Sequence, residues 1–537
     1  MKFEFGRWHS RITDLIAVLI PLIICFLLTI PLFGWIIDDA GISFAYAKNF
    51  AARDGLVSQP GVEPVEGYSN PLWIFVLTPF FILKIFHPFI VPKILSIILV
   101  GVTFLFVHKT IQLLTGTKFL LSLSALLLLA TNASFVIWTC SGLENPLLAC
   151  LVAGLVYTIV ASYEEQSFTP LQSAGAGFIA GAIALTRPDG ILYVSVFPLA
   201  LLLKLFPLGH NQLINSLKQF GIYTGGFTLL FGPYLLFRGI YFGQIYPNTY
   251  FAKGGPTFEV IVNALSLQPF YLSKLQEIFS SLFGNWLWTI IPITAAIWIV
   301  SLVPRKTSLK KELILALAVF IPLSTYLILI NDWMGEYRLA TPFFPMLFAF
   351  MGVVLWNAVS LVKITEVTKF TIVAAVMLAL LAVSIPNHYS RLTTFSDELP
   401  ASFAGISERF GFEFNAIADS LGVENGSFLV TDIGGPLYYS KLRIYDLAGL
   451  CDPTIARYLR NDRESFLNYI FEEIKPTFIH THGWFTTMTR FDEDPRFARD
   501  YVALYEFEDK YAGERLKRKV MSGNYVRKDA KETSNKE

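Results

Sequence analysis

The sequence predicts a polytopic α-helical membrane protein that ends in a soluble, extracytoplasmic α/β domain. Three observations predict it. Apolar residues make up 54% of the 537 positions and charged residues only 15%, with mean hydropathy +0.53, more apolar surface than a soluble core of this length can hide. About a dozen apolar runs, several long enough to cross roughly 30 Å of hydrocarbon, succeed one another over residues 1–386. From about Asn387 onward the composition becomes that of an ordinary soluble chain, with short strand and helix patterns in alternation.

The first run, Ile12 to Trp35, follows Lys2, Arg7 and Arg11, so the amino terminus is expected in the cytoplasm. The run is too long for a cleaved signal peptide and lacks a small-residue cleavage site, which makes it a retained helix. Further runs are expected at about Pro71–Phe86, Val91–Val107, Phe119–Trp138, Leu143–Ala161, Gly175–Leu185 and Ile191–Phe206. They continue at Phe220–Phe237, Trp286–Val303, Leu313–Ile330, Phe343–Val362 and Phe370–Ile385. The total is about 11–12 membrane helices plus one juxtamembrane helix. The basic loops Pro304–Lys311 and Lys363–Lys369 are placed in the cytoplasm, which puts residues 239–285, 331–342 and the chain after Pro386 outside. Counting forward from the amino terminus disagrees by one crossing. The short run Pro71–Phe86 is therefore read as re-entrant or lying on the membrane surface.

In the soluble part the pattern predicts a helix near Phe403–Leu421, strands at Ser427–Thr431 and Leu442–Tyr445, a helix at Ser465–Lys475 and a strand at Thr477–Thr481. Three regions follow from this: a membrane catalytic domain over 1–386, a soluble domain over 387–527 and a disordered charged tail over 528–537. The net charge of +1 gives no case for a nucleic-acid partner, and four scattered cysteines indicate neither a disulfide framework nor a zinc site.

Candidate chemistry sits in the loops. The first outer loop, 38–70, opens with Asp38 and Asp39, followed by an amphipathic surface helix ended by Gly55, then Glu66 and Tyr68. An aspartate pair at a helix start is also a common cap that complements the helix dipole. Glu144 in TCSGLENP, and Arg187 with Asp189 in LTRPDGI, lie beside apolar runs, where charges are costly unless paired or functional; an ion pair fixing a turn is the plainer account. FGQIYPNTYFAKGGP supplies Asn248, Tyr250 and Lys253, and a lysine at this level commonly snorkels. INDWMGEYRLATP supplies Asp332, Trp333, Glu336, Tyr337 and Arg338; membrane-interface aromatics explain the rings but not three charges. Acids, cations and aromatics on one side of a bilayer suit transfer of a sugar from a lipid-borne donor. A carboxylate takes the proton of the acceptor hydroxyl, and Lys, Arg or a divalent cation neutralises the departing phosphate.

The ordered stretches IDDAGISFAYAKNFAARDGLVSQPGVEPVEGYSNPLW, SGLENPL, TRPDG, YPNTYFAK, NDWMGEYR and DIGGPLYYSKLRIYDLAGLCDP resemble the bacterial GT-C membrane glycosyltransferases over nearly the whole chain. The nearest likeness is to the terminal arabinofuranosyltransferases of the mycobacterial cell wall. The resemblance implies a GT-C-like fold in the cell membrane and an inverting transfer from a polyprenyl-phosphate sugar, such as arabinofuranose, to an envelope glycan or glycolipid. It implies Asp38 or Asp39 as the base. Lys253, Arg338, Arg187, Asp332, Asn248 and Tyr250 would serve the donor, and Glu66, Tyr68, Glu144 and Trp333 the acceptor or the loops. Where that family reads GGDWM this chain reads INDWM, with Ile330 and Asn331 in place of the glycines. A GT-C enzyme acting on lipid A or protein hydroxyls is the nearest alternative. A transporter would carry its charges near the midplane of broken helices, and a non-catalytic scaffold would not need the loop acids.

Overall fold

The computed structural model describes residues 2–116, 119–163, 168–205, 210–255, 258–266, 268–286, 290, 292, 309–329 and 332–530. They divide into two compact units, each assembled from distant stretches of chain. Met1–Gly34, Phe89–Tyr234 and Pro256–Pro400 form the first; Trp35–Pro88, Leu235–Gly255 and Ala401–Glu537 form the second. The single boundary expected near residue 387 is thus replaced by a grouping in which the first loop and residues 235–255 belong with the soluble segment.

The first unit is a bundle of apolar helices, and the chain is a multi-pass membrane protein. Among the described residues seven helices are long and apolar enough to cross a bilayer. The count is eight if Phe119–Ala130 and Ala133–Cys140, bent by 67°, form one span. This is fewer than the 11–12 expected, for local reasons. Pro188 and Gly190 turn the stretch after Thr186 into a 3-10 helix, Pro188–Ser195, which leaves Val196–Lys204 as a nine-residue helix. The run Trp286–Val303 lies almost wholly outside the described residues. Asn145–Ser162 and Phe343–Ser360 are mostly buried and form the inside of the bundle, whereas Gln212–Tyr241 and Glu366–Asp397 expose most of their apolar surface, as lipid-facing helices do.

The first helix, Lys2–Thr29, and the helix Val91–Thr115 are antiparallel. At one end the Lys93 ammonium donates to the carbonyls of Leu32 at 2.7 Å and Phe33 at 2.6 Å; at the other Asp14 meets His108 at 3.0 Å and Lys109 at 2.6 Å. Residues 33–90 therefore make no net crossing, and the helix Pro71–Ile82, at 12 residues and roughly 18 Å, is too short to make one. That removes the disagreement in the loop count. The helix Pro170–Thr186 packs on His210–Tyr241 through glycines spaced four apart. A β-carbon on Gly177 would meet the Tyr223 carbonyl, and one on Gly181 would meet the Phe227 carbonyl at 3.1 Å.

The second unit is built on a five-stranded sheet in the order β2-β1-β3-β5-β4. Its strands are β1 (Ser427–Val430), β2 (Arg443–Asp446), β3 (Phe478–Thr481), β4 (Tyr501–Glu508) and β5 (Met521–Arg527). β1 pairs in parallel with β2 and β3, and β5 is antiparallel to β3 and β4. Leu429, Leu447, Ile455, Phe466, Ile470 and Ile479 pack in one buried cluster of the sheet. Phe414 stacks on Phe428 with ring centroids 4.0 Å apart, from the helical stretch Phe403–Ser420. The strands and helices expected up to Thr481 appear within a few residues of their places. β4 and β5 were not anticipated.

Gly177→Ala is expected to push the two helices apart and to cost about 1–3 kcal/mol, the usual penalty of overpacking. Gly175→Ala, where a β-carbon meets open space, should leave the unfolding midpoint in detergent unchanged. Equal midpoints for the two variants would refute the tight crossing.

Candidate functional site

In the second unit the first loop is fastened to the segment after residue 400. Asp38 N–H donates to the Ala401 carbonyl at 2.9 Å and Phe403 N–H to the Ile36 carbonyl at 2.8 Å, a short antiparallel pairing centred on Ile37 and Ser402. Asp38 heads the helix Asp39–Ala51, yet its side chain makes no cap within that helix. Its two oxygens instead accept from Gly434 N–H and Gly435 N–H, each at 2.8 Å, at the start of the helix Gly434–Tyr439. The approach needs glycine on both sides. A β-carbon on Gly434 would collide with the Asp38 carbonyl, one on Gly41 would lie 2.6 Å from Gly434, and one on Gly435 would lie 2.6 Å from Ser407. The cap account of Asp38 is thus half right: it caps a helix, but a different one.

Burial holds the Asp38 carboxyl well above the usual carboxylate range; the charges of Asp432 and Asp39 push the same way, and the two glycine N–H groups oppose them. Asp38 is 3% exposed, whereas Asp39, in the first helical turn, is half-buried. The helix ends at Ala51, earlier than the expected stop at Gly55, whose φ of +94° serves the turn that follows.

The other expected residues of this unit act mainly as braces. Glu66 is buried and bound by Arg238 through both oxygens, at 3.1 and 2.7 Å. Tyr68 is buried edge-on against Tyr46 at 4.7 Å. Asn248 donates from its side chain to the carbonyls of Gly449 at 2.7 Å and Leu450 at 2.8 Å, and its N–H donates to the Glu66 carbonyl. Tyr250 stacks on Tyr246 at 5.0 Å and is exposed, as is Lys253, whose ammonium has no ion-pair partner among the described residues. The loop that receives Asn248 is shaped by Asp446, which accepts from Ala448 N–H at 2.9 Å and Cys451 N–H at 2.8 Å. Burial pushes the Asp446 carboxyl up to about 7.

In the first unit the remaining candidates gather at the bundle end that carries Leu32 and Lys93, opposite the end with Asp14 and Lys109. Arg187 donates to Glu144 and to Asp189, each at 2.9 Å, with all three side chains buried. That is the ion pair fixing a turn, with one negative charge in excess. Arg338 is bound through Nε to Asp332, and its carbonyl accepts from the Asn145 side chain at 3.0 Å. The Nη1 and Nη2 groups of Arg338 have no hydrogen-bond partner among the described residues, although the residue is 8% exposed. Trp333 is exposed. Ile330 and Asn331 lie outside the described residues.

This loop is held in an unusual backbone. Gly335, Glu336 and Tyr337 have φ of +71°, +47° and +53°, three left-handed residues in succession. Glu336 is ion-paired with Arg391, its carbonyl accepts from the Trp138 indole at 2.8 Å, and Tyr337 OH donates to the Glu277 carbonyl at 3.1 Å. Arg391 and Trp138 were missed in the sequence. The available signal was the single arginine near the end of an apolar helix. Gly434 and Gly435 were quoted only as a motif.

A family model described as a domain of unknown function, DUF8728, matches residues 411–526. No curated protein matches the chain by sequence. Solved structures share its fold. An Archaeoglobus fulgidus oligosaccharyltransferase in complex with Zn and sulfate aligns with TM-score 0.53 at 14% identity, over 92% of this chain and 72% of that one. ArnT from Cupriavidus metallidurans bound to undecaprenyl phosphate aligns with TM-score 0.57 at 12% identity, over 95% and 97%. AglB from Archaeoglobus fulgidus, with an inhibitory peptide and a dolichol-phosphate, aligns with TM-score 0.52 at 11% identity, over 88% and 69%. The chain therefore has the GT-C-like architecture that the resemblance implied.

Asp446 yields a pH signature. Its folded value lies above the unfolded one, so its stabilising contribution is complete below about pH 4 and is lost as pH rises through about 7. The unfolding midpoint of Asp446→Asn is expected to fall less between pH 5 and 8 than that of the parent. Parallel slopes would remove Asp446 as a source of the dependence.

Proposed function

We propose that this chain is an inverting glycosyltransferase that moves a sugar from a polyprenyl-phosphate donor to a cell-envelope glycan or glycolipid on the extracytoplasmic face. The observation that carries the reading is the unequal bonding and burial of Asp38 and Asp39, on a fold shared with proteins solved with undecaprenyl phosphate or dolichol-phosphate. Both oxygens of Asp38 are engaged by glycine N–H groups, so it fixes the start of the outer-loop helix. Asp39, its less buried neighbour, takes the proton of the acceptor hydroxyl as that oxygen attacks the anomeric carbon. The bond from that carbon to the phosphate oxygen breaks, polyprenyl phosphate leaves with the electron pair, and single displacement inverts the centre.

Residue by residue, the reading assigns phosphate binding in the second unit to Lys253; in the first unit the candidate cation is Arg338, whose outer guanidinium nitrogens have no partner among the described residues. It assigns Arg187, Asp332, Glu66 and Asn248 to holding the loops, and Tyr250, Tyr68, Trp333 and Glu144 to their placement. Among the described residues no three His, Cys, Asp or Glu side chains are grouped to hold a metal ion. The Zn of the archaeal structure therefore has no counterpart through which a step is drawn. The orientation rests on the positive-inside rule: the Lys109 end of the bundle faces the cytoplasm, and the end with Asp332 and Arg338 faces out. A pentofuranose such as arabinofuranose is the sugar the motif likeness favours.

Purified protein in lipid, given a panel of polyprenyl-phosphate sugars, tests the base. Asp39→Asn is expected to lower turnover by about 10²–10⁴-fold, the usual worth of a general base. Asp38→Asn should lower the unfolding midpoint as well as activity. Full turnover by Asp39→Asn would sink the assignment. Lys253→Gln is expected to raise the donor KM with little change in unfolding, whereas Arg338→Gln, which removes the buried ion pair with Asp332, is expected to lower the unfolding midpoint as well; an unaltered donor KM in both would take the phosphate role from them.

A further inference from the structure

Outside the proposed proton-transfer residues, the second unit carries a cluster that this mechanism does not use. It lies at the carboxyl ends of two parallel strands. Thr431 and Asp432 follow β1, and His482 follows β3. β1 leads to β2 on one side, and β3 leads toward β5 and β4 on the other, so the connections diverge between β1 and β3. In open α/β sheets that point is where ligands bind, commonly with an anion on the N–H groups of the adjoining helix. Here those N–H groups, of Gly434 and Gly435, are already taken by Asp38.

What remains at this point is a pair of histidines and a carboxylate. His480, buried at 1% exposure, has Nδ1 2.6 Å from the Asn524 side-chain oxygen, so Nδ1–H donates there. Burial lowers His480 to about 3, which keeps it neutral and leaves its Nε2 to accept. His482 Nδ1 lies 3.0 Å from that Nε2 and so carries the hydrogen. With Nδ1 so engaged, Nε2 is the His482 nitrogen left facing Asp432. It stands 3.8 Å from Asp432 Oδ2, beyond hydrogen-bond reach, with side-chain exposures of 41% and 25%. Thr431 Oγ1 braces Asp432 at 3.2 Å. The other charged groups nearby are Asp38, Arg409 beside His480, and Asp509, which accepts from Gly483 N–H.

We infer that Asp432 and His482 Nε2 form a binding site for adjacent hydroxyls of a neutral glycan, with the His482 ring held by the chain through His480 to Asn524. A carboxylate beside an imidazole nitrogen suits hydroxyls, because each O–H can both donate and accept. An anionic ligand would meet the Asp432 carboxylate with its donors already used. Trp484, two residues on and covered by the Arg460 guanidinium at 5.2 Å, supplies a ring beside the same strand end. Naming this glycan as the acceptor rests on the transferase reading; the hydroxyl site itself does not.

The test uses the full chain in nanodiscs with three probes, neutral arabinan, galactan and mannan oligosaccharides, followed by saturation-transfer NMR. At least one is expected to bind the parent and to bind His482→Gln and Asp432→Ala at least tenfold more weakly, with unfolding midpoints unchanged. Inorganic phosphate should not displace the glycan. Failure of all three probes to bind the parent, equal affinity in both variants, or displacement by phosphate overturns the site. Should a variant lose its fold, His482→Asn and Asp432→Asn replace the pair and are judged in the same way. If glycan binding depends on Asp432 and His482 while the parent turns over no polyprenyl-phosphate sugar, the site stands and the transferase reading falls. Turnover with unaltered glycan affinity in the variants keeps the transferase reading and removes the site.

Discussion

One buried carboxylate facing two glycine N–H groups governs the second unit. A carboxylate taken out of water is tolerated only when its lone pairs are met, and here both oxygens are met by backbone donors at the start of a helix. The geometry admits no β-carbon on either side of the contact, so Gly41, Gly434 and Gly435 are as much part of it as Asp38. Fixing Asp38 sets the first turn of the outer-loop helix and with it the direction of Asp39. Glu66 with Arg238, and Asn248 with the carbonyls of Gly449 and Leu450, secure the far end of the same loop.

The first unit meets a related problem by different means. Several of its charges are ion-paired, as Asp14, Glu144, Asp332 and Glu336 are, and the Lys93 ammonium is held by two carbonyls, as a low-dielectric surrounding demands. The loop around Arg338 adds backbone strain, with three left-handed residues held by an ion pair, an indole N–H and a tyrosine hydroxyl. Such conformations persist only where the surroundings over-determine them. The result is a guanidinium whose position is set while part of its hydrogen-bonding capacity stays open.

Much of this was legible in the sequence. Long apolar runs, basic loops and the clustering of acids at run ends depend on local composition, and local composition survives folding. The disputed crossing near Pro71 was also soluble from the chain, because twelve apolar residues cannot span. Less accessible were features that pair residues far apart. Nothing near Asp38 says that its oxygens face Gly434 rather than its own helix, and nothing near Glu336 announces Arg391. β4 escaped for another reason. As an edge strand it exposes most of Val502–Glu508, so it lacks the alternation that marks a half-buried strand, and β5 is recognisable only once β4 is given. The partners of Arg187 and Asn248 were hidden for the same cause. A charge or amide in a loop reads as available until its partner is known.

The junction at Asp38 also bears on how the protein is made. The aspartate and its glycine partners are 396 residues apart, so at 5–20 residues per second the loop waits about 20–80 s for the strand that completes it. During that interval water must solvate a segment whose apolar residues, Phe44 and Tyr46 among them, are later buried. The stretch 411–526 taken alone would lack the partners that Asp38, Gln59 and Asn248 provide. Completion of this unit is thus a late event, in which the loop that begins at Asp38 finds its glycine partners only after 396 further residues have been made.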